Sequence, residues 1–467
     1  MDTGIETRLD AYKLLHDGIL ALSRAEAQGM RVDVEYCYKK KAHLTRKIEK
    51  LTEDFKRTKF YYHWHHIYKE KTNIDSDYQL AHILYDVRKL KPLRQTPGGR
   101  GSVDEESLLQ LDMPELRLRI EISKLEKLRD VYLDAFAREQ VDCYLHPFFN
   151  LHTVRTHRSS SDHPNFQNIP KRDHESMNIC RRAILPRPGH QLGEVDYSGI
   201  EVRIGICYHK DPNMLKYVTD PTTDMHGDMC QQCFKIDDFD RKIPEYKHLR
   251  DATKNGFVFP QFYGSFYGNC AENLAISWGK LTRGKWKSGQ GVSMPDGAKL
   301  SDHLIEQGIS SFEDFKDHIE AVEKDFWENR FRVYQQWKDE WWEEYQGKGY
   351  FDTLTGFRCS GVMGYNDVIN YPVQGSAFHC LLWSFIQIDK IMREEKWDTR
   401  LVGQIHDAIV LDINPSELDH VMKTVRRVAC EELPRAWKWI IVPLEVEADL
   451  CEVDRPWNEK KPHKLGG

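Results

Sequence analysis

Two aspartates follow β-rich runs of this 467-residue chain. Asp407 comes directly after His406 in Leu401-Val-Gly-Gln-Ile-His-Asp-Ala-Ile-Val-Leu-Asp-Ile, a pattern that predicts a hairpin with a carboxylate at its tip. Asp196 ends a second predicted strand, just before a predicted helix. Aspartate is rare in strands, and two carboxylates that converge could bind divalent cations. Turn chemistry alone would also explain either aspartate.

Two further segments contain groups that could bind phosphate. Arg250 and Lys254 are four residues apart, so they lie on one face of a predicted helix and could bind a phosphate chain. A solvent-exposed basic stripe is the alternative for this pair. The loop at residues 156–170 combines basic, hydroxyl and amide side chains, the usual donors to DNA phosphates and base edges.

The elements that would position these residues belong to an α+β chain. Strand-like runs are predicted at residues 191–197, 401–405 and 409–413, and near 440–446. A helix is predicted just after Asp196, and Ser198 could cap it. Residues 205–350 are mostly helical by their spacing, with a glycine-rich break at 279–298.

The N-terminal part is predicted to be helical. Residues 1–50 have helical spacing, and residues 105–140 have the pattern of another long helix. The Pro- and Gly-containing segment at 96–102 predicts a loop between them. Two such helices could form a thumb-like arm or an ordinary helical hairpin.

Composition limits the compartment and the partners. The net charge of −6 argues against a generally basic coat, although residues 151–190 have seven Lys and Arg against three acidic residues. The 11 cysteines show no disulfide framework, which favours a reducing compartment. Cys230 and Cys233 form a C-x-x-C without a second pair, so we expect no zinc site. No apolar run approaches a membrane span, and the N-terminus is unlike a signal peptide, so we expect a cytoplasmic protein without membrane contact.

Five motifs, taken together and in order, resemble the bacterial DNA polymerase I family (family A), and its phage members in particular. The matching segments are Thr156-His-Arg158 with Pro164-Asn-Phe-Gln-Asn-Ile-Pro170, Asp196-Tyr-Ser-Gly-Ile-Glu201-Val-Arg203, Arg250 to Lys254 with Tyr263-Gly264, Asn370-Tyr-Pro-Val-Gln374-Gly-Ser-Ala, and His406-Asp407. Residues 22–33, 79–99 and 127–132 are similar to the start of the family's polymerase part. The resemblance therefore covers nearly the whole chain.

The resemblance implies a right-hand polymerase fold with a helical thumb, an antiparallel-sheet palm and helical fingers. It divides the chain into a thumb at 1–150, a first palm part at 151–235, fingers at 236–364 and a second palm part at 365–467 that contains the His-Asp hairpin. Residues 279–320 have no counterpart in bacterial members and are similar to a phage-type fingers insertion.

The implied function is template-directed DNA synthesis, in which deoxynucleoside triphosphates are added to a primer 3′ end. Two Mg²⁺ ions, which Mn²⁺ can replace, would assist the transfer, and the implied ligands are Asp196, Asp407 and Tyr197. Arg250, Lys254 and His226 would bind the triphosphate, and Lys254 would also protonate the leaving group.

The resemblance also implies roles at the new base pair. Glu201 would crowd the 2′ position of the sugar, Phe259 would contact the sugar, and Tyr263 would stack near the templating base. The residues implied to contact primer–template DNA are Arg158, Gln167, Asn168, Asn370, Gln374 and His406. A separate exonuclease or processivity subunit is left open as a further partner.

The sequence departs from the family pattern at three places. Ala408 replaces the glutamate of the His-Asp-Glu hairpin, which puts the metal affinity in doubt, and Gly199 replaces a glutamine. Lys254 and Tyr263 are nine residues apart where eight are usual. Counted from Tyr263, the aromatic residue beside the sugar is Phe259; counted from Lys254, Val258 takes that place and Phe262 takes the role of Tyr263. We prefer Phe259, because it shares a helical face with Tyr263.

Other functions remain open on the sequence. Asp33-Val-Glu35 offers the D-x-E of a proofreading exonuclease, but that site needs further acidic motifs on a separate domain, and the predicted thumb begins here at residue 1, so we expect no exonuclease in this chain. A single-subunit RNA polymerase or reverse transcriptase with a related palm is the enzymatic alternative. A metal-dependent nuclease would not need a triphosphate site, and a degenerate DNA-binding scaffold would not need Asp196, Asp407, Arg250 and Lys254 together.

Overall fold

The structure, a computed structural model, describes residues 5–171, 173–278 and 284–465. The α-helices are α1 (Arg8–Gln28), α2 (Val34–Lys56), α3 (Lys59–Tyr68), α4 (Asp77–Ala81), α5 (Glu105–Gln110), α6 (Pro114–Glu126), α7 (Asp134–Glu139), α8 (His174–Arg181), α9 (Ile200–His209), α10 (Pro212–Thr219), α11 (Met225–Phe234), α12 (Pro244–Thr253), α13 (Phe259–Phe262), α14 (Tyr267–Ser277), α15 (Leu300–Glu306), α16 (Phe312–Asp325), α17 (Arg332–Lys348), α18 (Tyr365–Glu395), α19 (Leu418–Arg427) and α20 (Leu433–Ala436). Short π-helical segments lie at His82–Val87, Lys127–Leu133, Lys254–Val258, Phe326–Arg330 and Val428–Glu432.

The strands are β1 (Met30–Val32), β2 (Tyr144–Leu145), β3 (Phe148–Asn150), β4 (Ser160–Asp162), β5 (Ile184–Leu185), β6 (Gln191–Tyr197), β7 (Tyr350–Asp352), β8 (Arg358–Ser360), β9 (Arg400–Ile405), β10 (Ala408–Ile413), β11 (Val446–Leu450) and β12 (Lys461–His463). The central sheet has five antiparallel strands in the order β12-β11-β6-β10-β9. This confirms the α+β class and the antiparallel sheet that the sequence predicts.

The central sheet is covered on both faces, as its alternating apolar residues require. Val195, Ile409 and Leu411 point into a hydrophobic core shared with α18 and the helices between residues 200 and 334. Leu192 and Val410 point into a second core, formed mostly by the N-terminal helices. Because successive side chains of a strand point to opposite faces, β6 and β10 connect the two cores.

Helix α1 packs against the palm rather than against α2. Its buried residues Leu14, Leu22 and Ala25 belong to the core that contains α18. Gly18 allows the close approach, since a Cβ there would lie 2.9 Å from the side chain of Leu382 in α18. The domain limits taken from the sequence remain a prediction, and α1 is the part of the predicted thumb that contacts the palm.

The structure corrects three local predictions. The strand predicted near residues 440–446 is β11, which begins only at Val446, because Pro443 cannot donate a ladder hydrogen bond. The helix predicted at 105–140 is interrupted between α5 and α6, where Asp112 has a positive φ of 52° and Pro114 starts the next helix. Ser198 does not cap α9; its backbone N–H donates to Glu445 O at 2.9 Å, and the N-cap is Gly199.

The segment between α10 and α18 is mostly helical. Helix α12, the π segment Lys254–Val258 and α13 form one helical run at residues 244–262, which we call the fingers helix. Residues 279–283 of the predicted insertion lie outside the described residues. From residue 284 onward the insertion is folded, since Trp286, Leu304 and Phe315 are buried in the first core.

Candidate active site

The two aspartates singled out in the sequence lie side by side on neighbouring strands. Asp196 of β6 is paired with Ala408, the first residue of β10. Asp407 comes directly before Ala408 and lies in the two-residue turn between β9 and β10. The N–H of Tyr197 donates to the backbone oxygen of Asp407 at 3.2 Å, which fixes this turn against the end of β6. The hairpin with a carboxylate at its tip is therefore confirmed.

Burial affects the pKa of both carboxylates. It raises the pKa of Asp407 to about 6, helped by the nearby negative charges of Glu201 and Asp196. Burial also raises the pKa of Asp196, against the opposing effect of Lys171. Two partly buried carboxylates that repel each other are stabilised by a shared cation, so the residues present fit divalent metal ions.

Tyr197 can contribute only its backbone to such a site. Its side chain is buried, and its hydroxyl is 2.8 Å from the hydroxyl oxygen of Ser384, away from both carboxylates. Among the described residues, no three His, Cys, Asp or Glu side chains gather as a metal site. The candidate ligands are therefore the two carboxylates and the carbonyl oxygen of Tyr197.

Each carboxylate has a cationic side chain beside it. Arg158 lies 3.4 Å from Asp407 and 3.1 Å from Glu201. Lys171 lies 3.4 Å from Asp196 and is itself half-exposed. The sequence indicated Arg158 as a DNA contact but gave no sign of these pairs, which join residues far apart in the chain.

A small pocket brings together six of the predicted site residues. Its volume is about 240 Å³, and the six are Glu201, Phe259, Tyr263, Asn370, Gln374 and Asp407. The Tyr263 hydroxyl donates to Glu201 at 2.7 Å, and the Asn370 amide donates to the backbone oxygen of Tyr263 at 3.2 Å. The pocket thus lies between the C-terminal end of the fingers helix and the end of the sheet beside Asp407.

A cationic surface continues along the fingers helix beyond this pocket. Arg250 forms two 2.7 Å hydrogen bonds with the carboxylate of Asp224, a partner that the sequence did not indicate. Lys254 lies above the ring of Phe259, with its Nζ 5.3 Å from the centroid. Arg250 and Lys254 lie one helical turn apart, as their spacing predicts, and both are half-buried, unlike the solvent-exposed stripe that was the alternative.

His226 is a neutral donor beside these cations. Burial, together with the positive charges of Arg250 and Lys254, lowers the pKa of His226 to about 4. Its Nδ1 is buried without a hydrogen-bond partner in the described part of the chain, and its ring meets that of Phe259 edge-on at 5.8 Å. A neutral imidazole between two cations can donate to a phosphate oxygen without adding charge.

A larger cleft of about 730 Å³ opens beside the turn that contains His406. Gln167, Asn168, Lys171 and His406 line its palm side, and N-terminal helices line the opposite side. Gln167 is held by hydrogen bonds to Ser159 at 2.7 Å and to Gln404 at 2.8 Å. The predicted DNA contacts Gln167, Asn168 and His406 thus line one cleft.

The D-x-E and C-x-x-C motifs have ordinary structural environments. Asp33 is the N-cap of α2 and accepts a 2.9 Å hydrogen bond from the N–H of Tyr36, while Glu35 is exposed and paired with Lys39. Cys230 and Cys233 are buried in α11 as free thiols. Asp33 and Glu35 therefore have a structural explanation that needs no exonuclease chemistry.

The comparisons with known proteins agree with this geometry. The model of the family "DNA polymerase family A" matches residues 40–285 and 320–459. The chain is 25% identical to DNA polymerase I of Chloroflexus aurantiacus, over 99% of this chain and 45% of that protein. It is 27% identical to DNA polymerase I of Aquifex aeolicus, over 92% of this chain and 65% of that protein. The chain thus spans about half the length of these relatives.

A solved structure shows the same fold. The POL domain of Pol1 from M. smegmatis, determined in complex with DNA primer-template and dNTP, matches 95% of this chain and 70% of its own. Its TM-score is 0.72 at 22% sequence identity, so the likeness establishes the fold alone. The family model covers most of the chain. The chain belongs to DNA polymerase family A.

Proposed function

We propose that this chain is a template-directed DNA polymerase that adds deoxynucleoside triphosphates to a primer 3′ end. The observation that supports this most directly is the pocket shared by Glu201, Tyr263 and Asp407. It lies between a cationic helix suited to a triphosphate and a cleft suited to a duplex. A nuclease would use the aspartates and the cleft but would have no use for Arg250 and Lys254.

The catalytic carboxylates would bind the metal ions through Asp196, Asp407 and the carbonyl oxygen of Tyr197. When bound, two Mg²⁺ ions, or Mn²⁺ in their place, would lower the pKa of the primer 3′-hydroxyl and neutralise charge on the leaving pyrophosphate. The protein itself positions the reactants, and β6 and β10 supply a rigid frame for that purpose. Ala408 is buried in β10, so the site has two acidic side chains where the family pattern has three.

The triphosphate would bind along the fingers helix. Arg250 offers a planar guanidinium that can bind two phosphate oxygens, and His226 donates one neutral hydrogen bond. Lys254 is placed between Arg250 and the sugar pocket, where it would donate a proton to the leaving pyrophosphate. When the triphosphate binds, Arg250 would either leave Asp224 or keep this ion pair and bind the phosphates with the other edge of its guanidinium.

Selection of the sugar and of the base pair would use the pocket and its rim. Glu201 would exclude a 2′-hydroxyl by contact, and Tyr263 would stack beside the templating base. Arg158, Asn370 and Gln374 would donate to the minor-groove edge of the new pair, which offers acceptors at every pair. These contacts verify the shape of the pair without reading its sequence.

The insertion is proposed to be of the phage type. The family model does not match residues 286–319, which agrees with an added segment at this place. None of the helices described here has the length and apolar composition needed to cross a membrane. We place the protein in the cytoplasm, in a bacterial host if it is phage-encoded, because all 11 cysteines are free thiols. A separate exonuclease or processivity subunit would be a further partner.

Primer extension tests the proposal. The purified chain, with a labelled DNA primer on a DNA template, the four deoxynucleotides and Mg²⁺, is expected to extend the primer to the template end. Preference for ribonucleotides would favour an RNA polymerase, and extension only on an RNA template would favour a reverse transcriptase. Degradation without extension would indicate a nuclease, and DNA binding without either reaction would indicate a scaffold.

A further inference from the structure

Four predicted site residues form one column along the fingers helix, joined by successive backbone hydrogen bonds. The N–H of Lys254 donates to Arg250 O, the N–H of Phe259 donates to Lys254 O, and the N–H of Tyr263 donates to Phe259 O. The first and the last bond have the four-residue spacing of an α-helix. The middle bond spans five residues, which is the spacing of a π-helix.

The π turn places Lys254 and Phe259 on the same face. In an α-helix, residues five apart would point about 140° away from each other. Here the ammonium of Lys254 lies 5.3 Å from the centroid of the Phe259 ring. The ring of His226 also contacts the Phe259 ring, edge-on, with 5.8 Å between the centroids. The groups proposed for the triphosphate and the residue proposed for the sugar are therefore contiguous.

The neighbouring aromatic residue has a different environment. Phe262 is only 8% exposed, and its ring packs against Phe326 at 5.7 Å and against Tyr334 at 5.8 Å. Both rings line the pocket beside Glu201, but Phe259 is half-buried and also has the Lys254 ammonium and the His226 ring beside it. Suppose that the helix were α-helical throughout and that residues 244–254 kept their positions. The residues after Lys254 would then be rotated about the helix axis, and Phe262 would leave the hydrophobic core.

We propose that the π turn at Lys254–Val258 is a one-residue register adaptor. It absorbs one additional residue between the triphosphate-binding and the sugar-contacting parts of the fingers helix. The specificity-determining aromatic residue of the pocket is then Phe259, and Phe262 is part of the fingers core. This inference rests on the proposed function, because the roles of both helix parts come from it.

The additional residue can be identified by its surroundings. Gly256, Phe257 and Val258 are buried, and a Cβ on Gly256 would lie 3.1 Å from the Leu274 side chain of α14. Asn255 is exposed, and its side-chain amide donates to the backbone oxygen of Asp251 at 2.9 Å. Deletion of Asn255 would leave the three buried residues in sequence and convert the π turn into an α turn.

The deletion of one residue and the insertion of one residue at this position test the adaptor. Deletion of Asn255 is expected to keep the column intact, so kcat/KM for deoxynucleotides should fall by less than about tenfold. Insertion of one alanine after Asn255 rotates Phe259 away from Lys254 and should lower kcat/KM by at least about 100-fold, as misplacement of a binding group does. Thermal melting monitored by circular dichroism must show that both variants are folded.

Point variants test the register without changing the chain length. A tyrosine hydroxyl beside the sugar can stand in for the missing 3′-hydroxyl of a dideoxynucleotide. Phe259→Tyr should therefore improve dideoxynucleotide use relative to deoxynucleotide use by roughly tenfold, and Phe262→Tyr should not. The same effect of Phe259→Tyr is expected in the chain that lacks Asn255.

The outcomes separate this inference from the proposed function. If the unmodified chain does not extend primers, the proposed function fails and the register is not the cause. If it extends primers but deletion of Asn255 is as damaging as the insertion, or if Phe262→Tyr alone changes terminator use, the adaptor is overturned while the polymerase assignment stands. Equal tolerance of the deletion and the insertion would overturn it as well.

Discussion

The hydroxyl of Tyr263 donates a 2.7 Å hydrogen bond to the carboxylate of Glu201, and Arg158 lies 3.1 Å from the same carboxylate. The fingers helix and the palm are thus connected through one acidic side chain at the floor of the nucleotide pocket. Glu201 fills space there and also fixes the position of its two partners. Any change at Glu201 should therefore affect the choice of nucleotide.

The first prediction concerns sugar selection. Glu201→Ala removes the side chain expected to contact the 2′ position, so incorporation of ribonucleotides relative to deoxynucleotides should rise, by about 10- to 100-fold. The ratio of the two kcat/KM values in single-nucleotide extension measures the effect. Tyr263→Phe is the matched control, since it removes the hydrogen bond but keeps Glu201 in the pocket. An equal rise in both variants would show that Tyr263, and not the bulk of Glu201, excludes the ribose.

The second prediction concerns the two aspartates. Asp196→Asn and Asp407→Asn each remove a carboxylate that is not replaced by a neighbouring acidic side chain, because position 408 is alanine. A metal ligand is worth several kcal/mol in the transition state, so extension should fall by at least about 100-fold. Binding of primer–template, measured by fluorescence anisotropy, should stay within about threefold, since phosphate contacts supply most of the affinity.

A surface carboxylate provides the control for that loss. Glu35 is exposed and is paired only with Lys39 among the ion pairs of the described chain, so Glu35→Gln should leave extension unchanged. A near-normal rate for either aspartate variant would place the catalytic metal site elsewhere in the molecule.

The third prediction concerns Lys171, the cation beside Asp196. Divalent ions must compete with this ammonium, so Lys171→Met should tighten binding of Mn²⁺ to the DNA-free protein. Since Lys171 is half-exposed and its ion pair is screened by water, the effect should be modest, about two- to fivefold. Electron paramagnetic resonance of free Mn²⁺ measures the binding without any activity assay. Lys124→Met removes a lysine of the same cleft that is paired with Asp173 at 2.9 Å, and it should leave Mn²⁺ binding unchanged.

The opposite result for Lys171 would also be informative. Weaker Mn²⁺ binding in Lys171→Met would mean that the lysine orients Asp196 for the metal instead of competing with it. Both lysine variants should weaken binding of primer–template, because each removes a positive charge from the duplex cleft.

The fourth prediction concerns Arg250 and its partner Asp224. Arg250→Lys keeps the charge but loses the planar, two-pronged donor, so KM for deoxynucleotides should rise by about tenfold with a smaller change in kcat. Asp224→Asn should lower KM, because it frees Arg250 and removes a negative charge near the triphosphate. Asparagine can still cap α11, so this variant should remain folded. A higher KM for Asp224→Asn would show that Asp224 orients Arg250 for binding.

Much of the sheet could be predicted from the sequence, because local patterns determine it, whereas most of the candidate site residues were indicated by the resemblance to family A. Strand β6 has the predicted bounds, and β9 and β10 differ from theirs by one residue, since apolar runs flank the His-Asp turn. The ion pairs of Lys171 and Asp224 could not be predicted, because each joins residues that no spacing rule connects. In the sequence, the π turn is visible only as one additional residue between Lys254 and Tyr263. Its position follows from the hydrogen bond of the Phe259 N–H to Lys254 O.

The fifth prediction concerns Asp33, the first residue of the D-x-E motif. As the N-cap of α2, its side chain accepts the N–H of Tyr36, so Asp33→Ala should lower the free energy of unfolding by about 1 kcal/mol. Denaturant unfolding measures this change, and Asp33→Asn, which can still cap the helix, should lose much less. Because no metal-holding cluster among the described residues includes Asp33, neither variant should alter primer extension at 25 °C. The unmodified chain should also leave a mismatched primer 3′ end intact with Mg²⁺ present. Digestion of that end that is lost in Asp33→Ala but kept in Asp407→Asn would instead identify an exonuclease site at Asp33.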